Sequence, residues 1–340
     1  MALSLPARTE LGVFPTPLRR NSALADVLGV DDLWVKRDDL TGFSWGGNKV
    51  RTAEFLIGDA LESGITDIVV SGGPSSNFAA TMAAAGRKVG IVVHQVAYGS
   101  EPDVYPPALR VAVQAGAQLV FTNSDDRDTM ETTAVSVADT LCRDGRTAVA
   151  IPRGGATLVG SNGFVAAATE LADQMDSAGL QHVTIVLPVG SGGSISGLLA
   201  GRALLTADWS IIGASVSRPA RGSAVEIVAK AGDAVNALGG SASHAGSADN
   251  VRLVDCRGEG FGMVTAEEVA FSQRVRDATG LLIDHTYNTK PLHWLSQHGN
   301  GLTGPVIYWL TGGALGAFPD VSSADYRRAP LPIDQKDSDL

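Results

Sequence analysis

The stretch Val186–Gly201, "VLPVGSGGSISGLLAG", runs from an apolar segment through a glycine- and serine-rich turn into a second apolar segment. Its first part reaches back to His182 as "HVTIVLPV", apolar at neighbouring positions rather than at every second one. That pattern predicts a strand buried on both faces, and the segment beyond the turn predicts a helix. Outward from this unit the same alternation fills the chain. Further short runs rich in β-branched residues stand at 33–37, 67–71, 89–94, 117–121, 147–151, 210–217, 251–255 and 305–310. Helix-like stretches lie at 50–63, 76–87, 104–115, 131–143, 160–178, 195–206 and 265–279. Doubly buried strands separated by helices predict an α/β protein with parallel-rich twisted sheets between helical layers. No internal repeat is visible, and the 40 glycines stand mostly at the ends of apolar runs, where tight turns are needed.

At 340 residues the chain is long enough for about two domains. A hydrophobic content of 44% supports a substantial core. The formal charge of -10, with no lysine- and arginine-rich run, argues against nucleic acid as a partner. Cys142 and Cys256 are the only cysteines, too few for a disulfide framework or a cysteine-ligated metal site. No secretory pattern opens the chain, and no window has the roughly 20 apolar residues of a membrane span. The expectation is a soluble cytoplasmic protein with no membrane partner.

Three segments carry candidate chemistry. In the opening stretch, Gly190, Ser191, Gly192, Gly193 and Ser194 can aim several backbone N–H groups at a phosphate, helped by the positive end of the next helix. No Gly-Lys-Ser/Thr follows, so this is not a P-loop, and Ile195 stands where a dinucleotide fingerprint needs its third glycine. A turn that serves packing alone is the competing reading. In "SGGPSSNFAAT", residues 71–81, a strand gives way to Ser75, Ser76 and Asn77 at a helix start. These are good capping residues, and the same arrangement offers hydroxyls and free N–H groups to a small carboxylate. In "SWGGNKVR", residues 44–51, Lys49 stands at the mouth of a helix, where the backbone dipole disfavours a cation. The overlapping "GFSWG" matches a hydrolase nucleophile elbow at Ser44, but an elbow needs a strand running into its first glycine and "DDLT" intervenes.

A lysine at a helix mouth, an anion-binding helix start and a separate phosphate cradle together fit pyridoxal phosphate chemistry. A lysine held as a Schiff base is no longer an ammonium, which removes the electrostatic conflict at Lys49.

The segments "PTPLRR", "VKRDDLTGFSWGGNKVRTAEFL", "SGGPSSN", "GSGGSISGLLAG", "IIGASVSR", "GLLIDHTYNTKP" and "WLTGGALGAF" occur in an order and spacing that resembles the 1-aminocyclopropane-1-carboxylate deaminase and D-cysteine desulfhydrase family. The resemblance covers about residues 10–320 and implies a tryptophan-synthase-β-like fold of two three-layer αβα domains. The larger would comprise residues 1–49 and 159–320 and the smaller 50–158, with pyridoxal 5'-phosphate in the cleft between them. Residues 321–340, polar and proline-bearing, would form a loosely held tail. A homodimer is implied as well.

Carried over position by position, Lys49 resembles the Schiff-base lysine and Asn48 the asparagine near the cofactor's phenolic oxygen. Gly190 to Ser194 resemble the phosphate loop, and Thr311 stands where the ring nitrogen would find a hydroxyl. Ser76 and Asn77, with Ser75 beside them, resemble the group that holds the substrate carboxylate, Ser76 having a catalytic role as well. Tyr287 resembles the family's active-site tyrosine. Phe78 and Asn288 fall in the substrate shell and depart from the family pattern, which has His or Gln at the first and Glu or Thr at the second. Thr52 replaces a usual lysine, and His285 and Thr286 replace a usual Pro-Val. No metal site is implied.

The implied activity is that of a lyase or deaminase on a small amino acid. The substrate would form an imine with the cofactor, lose its Cα proton to Lys49 and eliminate to a 2-oxo acid and ammonia, with sulfur among the candidate leaving groups. A β- or γ-replacement enzyme, or a specialised-pathway C–S lyase with a larger apolar substrate, is the alternative that Phe78 would suit. A non-catalytic cofactor-binding protein is the third.

Overall fold

A computed structural model describes residues 3–247, 251–317 and 321–322. Its strands are β1 (Leu18–Arg20), β2 (Leu33–Arg37), β3 (Asp67–Ser71), β4 (Val92–Ala97), β5 (Val104–Tyr105), β6 (Gln118–Phe121), β7 (Ala148–Ile151), β8 (Thr184–Val189), β9 (Ser210–Ser215), β10 (Arg252–Asp255), β11 (Val306–Leu310) and β12 (Val321–Ser322). One sheet has the order β1-β2-β11-β8-β9-β10 and is parallel except where β1 meets β2. A second, wholly parallel sheet has the order β6-β4-β3-β7, and β5 pairs with β12 as an antiparallel ribbon.

The helices are α1 (Ser22–Leu28), α2 (Lys49–Glu62), α3 (Asn77–Val89), α4 (Pro107–Gln114), α5 (Thr129–Arg143), α6 (Leu158–Ala178), α7 (Gly193–Leu204), α8 (Ala220–Ala237), α9 (Ala266–Thr279) and α10 (Thr289–His298). Side chains alternate across each strand, so an all-apolar strand must be covered on two sides. In β8, Ile185, Leu187 and Val189 join the core under α6, α7 and α8, while Val186 turns to the core under α1, α9 and α10. In β3, Ile68 and Val70 face α2 and α3, and Val69 faces α5. Each sheet is thus the middle of three layers, the tryptophan-synthase-β-like architecture expected.

Differences from the sequence reading have local causes. The run expected as a strand from 89 begins only at Val92, because Gly90 takes a left-handed φ of 80° to close α3. The helix expected from 104 starts at Pro107, since Val104 and Tyr105 pair with Val321 and Ser322. Those last two residues belong to the expected tail; the remainder of 321–340 lies outside the described residues. Strand β1 and helices α1, α8 and α10 escaped the sequence reading. Helix α8 starts after Pro219 without a side-chain cap, and α10 carries Pro291 in its first turn, where proline is tolerated. Among the described residues, no helix is long and apolar enough to cross a membrane.

Candidate active site

The main cleft opens at the C-terminal ends of the parallel strands of both sheets, where ligands of open α/β folds bind. Its lining comes from the loops after β2, β3, β4, β6, β7, β8, β9, β10 and β11, with Tyr287 added from the turn before α10. No carboxylate is part of that lining among the described residues.

Lys49 is the first residue of α2. The loop before it is pinned to the end of β11, where the Asn48 amide donates to the Thr311 carbonyl at 2.9 Å. Gly47 makes that approach possible: its φ is 55°, and a Cβ there would stand 2.2 Å from the Thr311 oxygen. On the far wall, a Cβ on Gly154 would meet Ser191 Oγ at 2.3 Å and Lys49 Nζ at 3.6 Å, so three segments converge on one small space. Burial lowers the Lys49 ammonium to about 8.

The glycine turn after β8 leads into α7 with Gly192 at a φ of 89° and no side chain capping the helix. A Cβ on Gly190 would crowd the Tyr287 ring at 3.2 Å, and one on Gly193 would press on Ala156 at 3.1 Å. The result is a cradle of backbone N–H groups kept clear of side chains. Ser217 Oγ donates to the Gly190 carbonyl at 3.0 Å, and Asn48 Nδ2 donates to Ser194 Oγ at 3.0 Å, tying the cradle to the lysine loop.

At the start of α3, the Ser76 hydroxyl accepts from the Ala79 amide at 3.2 Å, so it caps the helix as a serine there should. Ser75 and Asn77 line the cleft beside it. Phe78 is only 2% exposed; a Cβ on Gly155 would touch both its ring and the Thr52 methyl, at 2.7 Å each. Two of the departures from the family pattern therefore share one apolar patch.

Tyr287 closes the opposite side with its ring edge-on to Phe261, centroids 5.9 Å apart. Its hydroxyl is pushed up to about 12 by burial and by the neighbouring Asp284, against the opposing effect of Arg127. Asp284 holds the turn, accepting from the amides of Thr286 at 3.0 Å and Tyr287 at 2.6 Å.

Of the residues expected to hold cofactor or substrate or to act in catalysis, Asn288 alone does not line this cleft. Its side chain is fully buried and donates to Asp284 Oδ1 at 2.7 Å and to the Gly312 carbonyl at 2.5 Å. The Tyr308 hydroxyl donates to its Oδ1 at 3.1 Å, and the Thr311 hydroxyl lies 3.4 Å from the same oxygen. Asn288 thus fixes the turn that presents Thr311. Ser44 also lies off the lining and follows a short 3-10 turn rather than a strand, which removes the elbow reading. Sequence reasoning passed over Tyr98, Arg127, Arg153, Gly154 and Phe261, which all line the cleft. Only the Gly154-Gly155 pair, both at positive φ, left a readable signal.

A lysine eased toward its neutral form beside a clear N–H cradle is what pyridoxal phosphate requires. The family profile described as "Pyridoxal-phosphate dependent enzyme" matches residues 9–309. The chain belongs to this family. Its cofactor is pyridoxal 5'-phosphate, and it is a lyase or deaminase. A Pyrococcus abyssi relative, provisionally named as a 1-aminocyclopropane-1-carboxylate deaminase, is 32% identical over 93% of this chain and 94% of its own length. The mitochondrial bifunctional D-cysteine desulfhydrase/1-aminocyclopropane-1-carboxylate deaminase of Arabidopsis thaliana is 30% identical over 93% and 81%. The D-cysteine desulfhydrase of Klebsiella pneumoniae is 30% identical over 92% and 95%. A crystal structure of an ACC deaminase homologue superposes with a TM-score of 0.84 at 28% identity, covering 92% of this chain and 94% of that one.

Proposed function

We propose that this enzyme eliminates a substituent from a small amino acid, yielding a 2-oxo acid and ammonia, with Lys49 as both cofactor anchor and base. The observation that carries the reading is the placement of Lys49 at the mouth of α2, converging with Ser191 of the glycine turn in a cleft lined by no carboxylate among the described residues, where burial lowers its ammonium to about 8. The N–H groups of Gly190–Ser194 would hold the phosphate, with Asn48 and Thr311 at the ring. When bound, the cofactor supplies the electron sink that makes a Cα–H bond acidic enough to break.

The remaining steps belong to side chains. Ser75, Ser76 and Asn77 receive the substrate carboxylate at the positive end of α3. Lys49, neutral in a large share of molecules near pH 8, takes the Cα proton. Tyr287 keeps its proton at neutral pH and can give it to the leaving group. Phe78 and Thr52 exclude water from one side. Asn288 acts on the Thr311 turn rather than on substrate.

Residues 50–158 form the unit that closes over the cleft, a motion common to sites between two α/β units. The working protein is cytoplasmic in this reading and a homodimer, the latter as the family resemblance implies, and sedimentation of the purified enzyme checks the assembly. Lys49→Ala should abolish the visible absorbance of the lysine-bound cofactor and all 2-oxo acid release from a panel of D- and L-amino acids. A variant that retains either result overturns the assignment.

A further inference from the structure

Among the described residues, four cations line the cleft: Lys49, Arg153, Arg218 and Arg127. Three have work or partners. Lys49 is the proposed anchor. Arg153 donates to Glu131 Oε1 at 2.5 Å and Asp128 Oδ1 at 2.7 Å, and Arg218 donates to Glu226 Oε2 at 2.9 Å. Arg127 forms no ion pair among the described residues, although it sits in the acidic loop "NSDDRDT". The adjacent acid Asp128 is engaged by Arg153, and Asp126 accepts from the Asp128 amide at 3.0 Å.

Two aromatic walls hold Arg127 in place. Its guanidinium carbon lies 4.4 Å from the Phe261 ring centroid and 5.5 Å from that of Tyr98. Phe261 meets Tyr287 edge-on, and Tyr98 packs on Gly73, where a Cβ would stand 2.5 Å from its ring. Arg127 therefore spans the gap between the proposed proton donor and the proposed carboxylate site. Its Nε is buried without a hydrogen-bond partner, a costly state for a charged donor unless an acceptor arrives. Ring contacts of this kind are weak and do not satisfy an N–H group.

An amino acid bound with its cofactor brings two anions, and each has a reception site already: the glycine cradle and the start of α3. We propose that Arg127 receives a third, selecting amino acids whose β-substituent itself carries an oxyanion, such as a sulfonate or a phosphate ester. The inference rests on the elimination reading above. It also gives Arg127 a catalytic opportunity, because a leaving oxyanion gains charge as it departs. With 3-sulfoalanine the Cα proton passes to the Lys49 amine. The Cβ–S bond breaks with its electron pair leaving on sulfite. Water then hydrolyses the remaining enamine to pyruvate and ammonia, and no oxidant or reductant is consumed.

The test compares the holoenzyme with its Arg127→Met and Arg127→Lys variants. Pyruvate release is measured from both enantiomers of 3-sulfoalanine and O-phosphoserine, and from the uncharged-substituent compounds O-acetylserine and β-chloroalanine. The wild type should prefer the anionic compounds in kcat/KM. Arg127→Met should lower that anionic-to-neutral ratio by about 10- to 100-fold, the worth of a hydrogen bond to a charged group, and Arg127→Lys should restore part of it. Calorimetry with 3-sulfopropanoate and propanoate, which have no amine to react, should show the difference between their Kd values shrinking in the methionine variant. Equal losses for all compounds, or no change in the ratio, overturn the proposal. If the wild type turns over no amino acid yet distinguishes 3-sulfopropanoate through Arg127, the elimination reading fails and the anion site stands.

Discussion

Lys49 occupies a position that two independent effects make uncomfortable for a cation. The helix dipole opposes it from α2, and burial opposes it from the surrounding walls. Both act to release its proton, which leaves the nucleophilic amine in hand near neutral pH. The sign follows directly: the amine is neutral above its pKa and protonated below it. Cofactor uptake by the apoenzyme should therefore accelerate as pH rises through about 8 and level off above it. Growth of the visible band after mixing, followed at several pH values, measures this. An inflection near the ordinary lysine value of about 10.4 would contradict the account. Lys49 was legible in the sequence because a glycine-rich approach and a helix mouth are local signals. Arg127 was not, since its meaning depends on Phe261, which folding brings to it from far along the chain.

At the level of elements, the strands were readable because burial on both faces leaves continuous apolar runs, and β2, β3 and β8–β11 fell close to the expected limits. What the pattern could not reveal was the turn geometry between them. The loop from β2 to α2 reaches Thr311 only because Gly47 has no side chain. Gly47→Ala combines a left-handed backbone with a Cβ inside contact distance of a carbonyl, so it should destabilise by roughly 1–3 kcal/mol and slow cofactor uptake together. Gly29 provides the control. It caps α1 at a φ of 64°, yet a Cβ there meets nothing within 4 Å. Gly29→Ala should carry the backbone strain alone and leave cofactor uptake as in the wild type, judged by denaturant melts and reconstitution side by side. If both alanine variants bind cofactor normally, the Gly47–Thr311 contact does not position Lys49.

Across the whole molecule, the site is backed by a buried ionic cluster that joins β2, α2, α6 and β11. Arg51 donates to Asp38 at 2.8 and 2.9 Å and to both oxygens of Glu170 at 2.9 Å, Lys36 also pairs with Glu170, and Trp309 Nε1 donates to Asp38 at 2.8 Å. The sequence placed Lys36, Asp38 and Arg51 in one polar segment but gave no hint that Glu170 completes it, because α6 reads as an ordinary helix. Burial alone would raise the Glu170 pKa; Arg51 and Lys36 outweigh it and hold the carboxyl at about 2. A depressed acid stabilises the fold fully above its unfolded value, about 4.3, and loses that contribution as pH falls toward 2. Glu170→Gln leaves two buried cations short of a counter-charge, so it should cost about 3–5 kcal/mol at pH 7. The gap between wild type and variant should then narrow below about pH 4, because the wild type surrenders the same charge by protonation. Urea melts of both proteins from pH 7 to pH 3 decide it. A gap that stays constant across that range would mean that the Glu170 charge does not brace β2, α2, α6 and β11 behind Lys49.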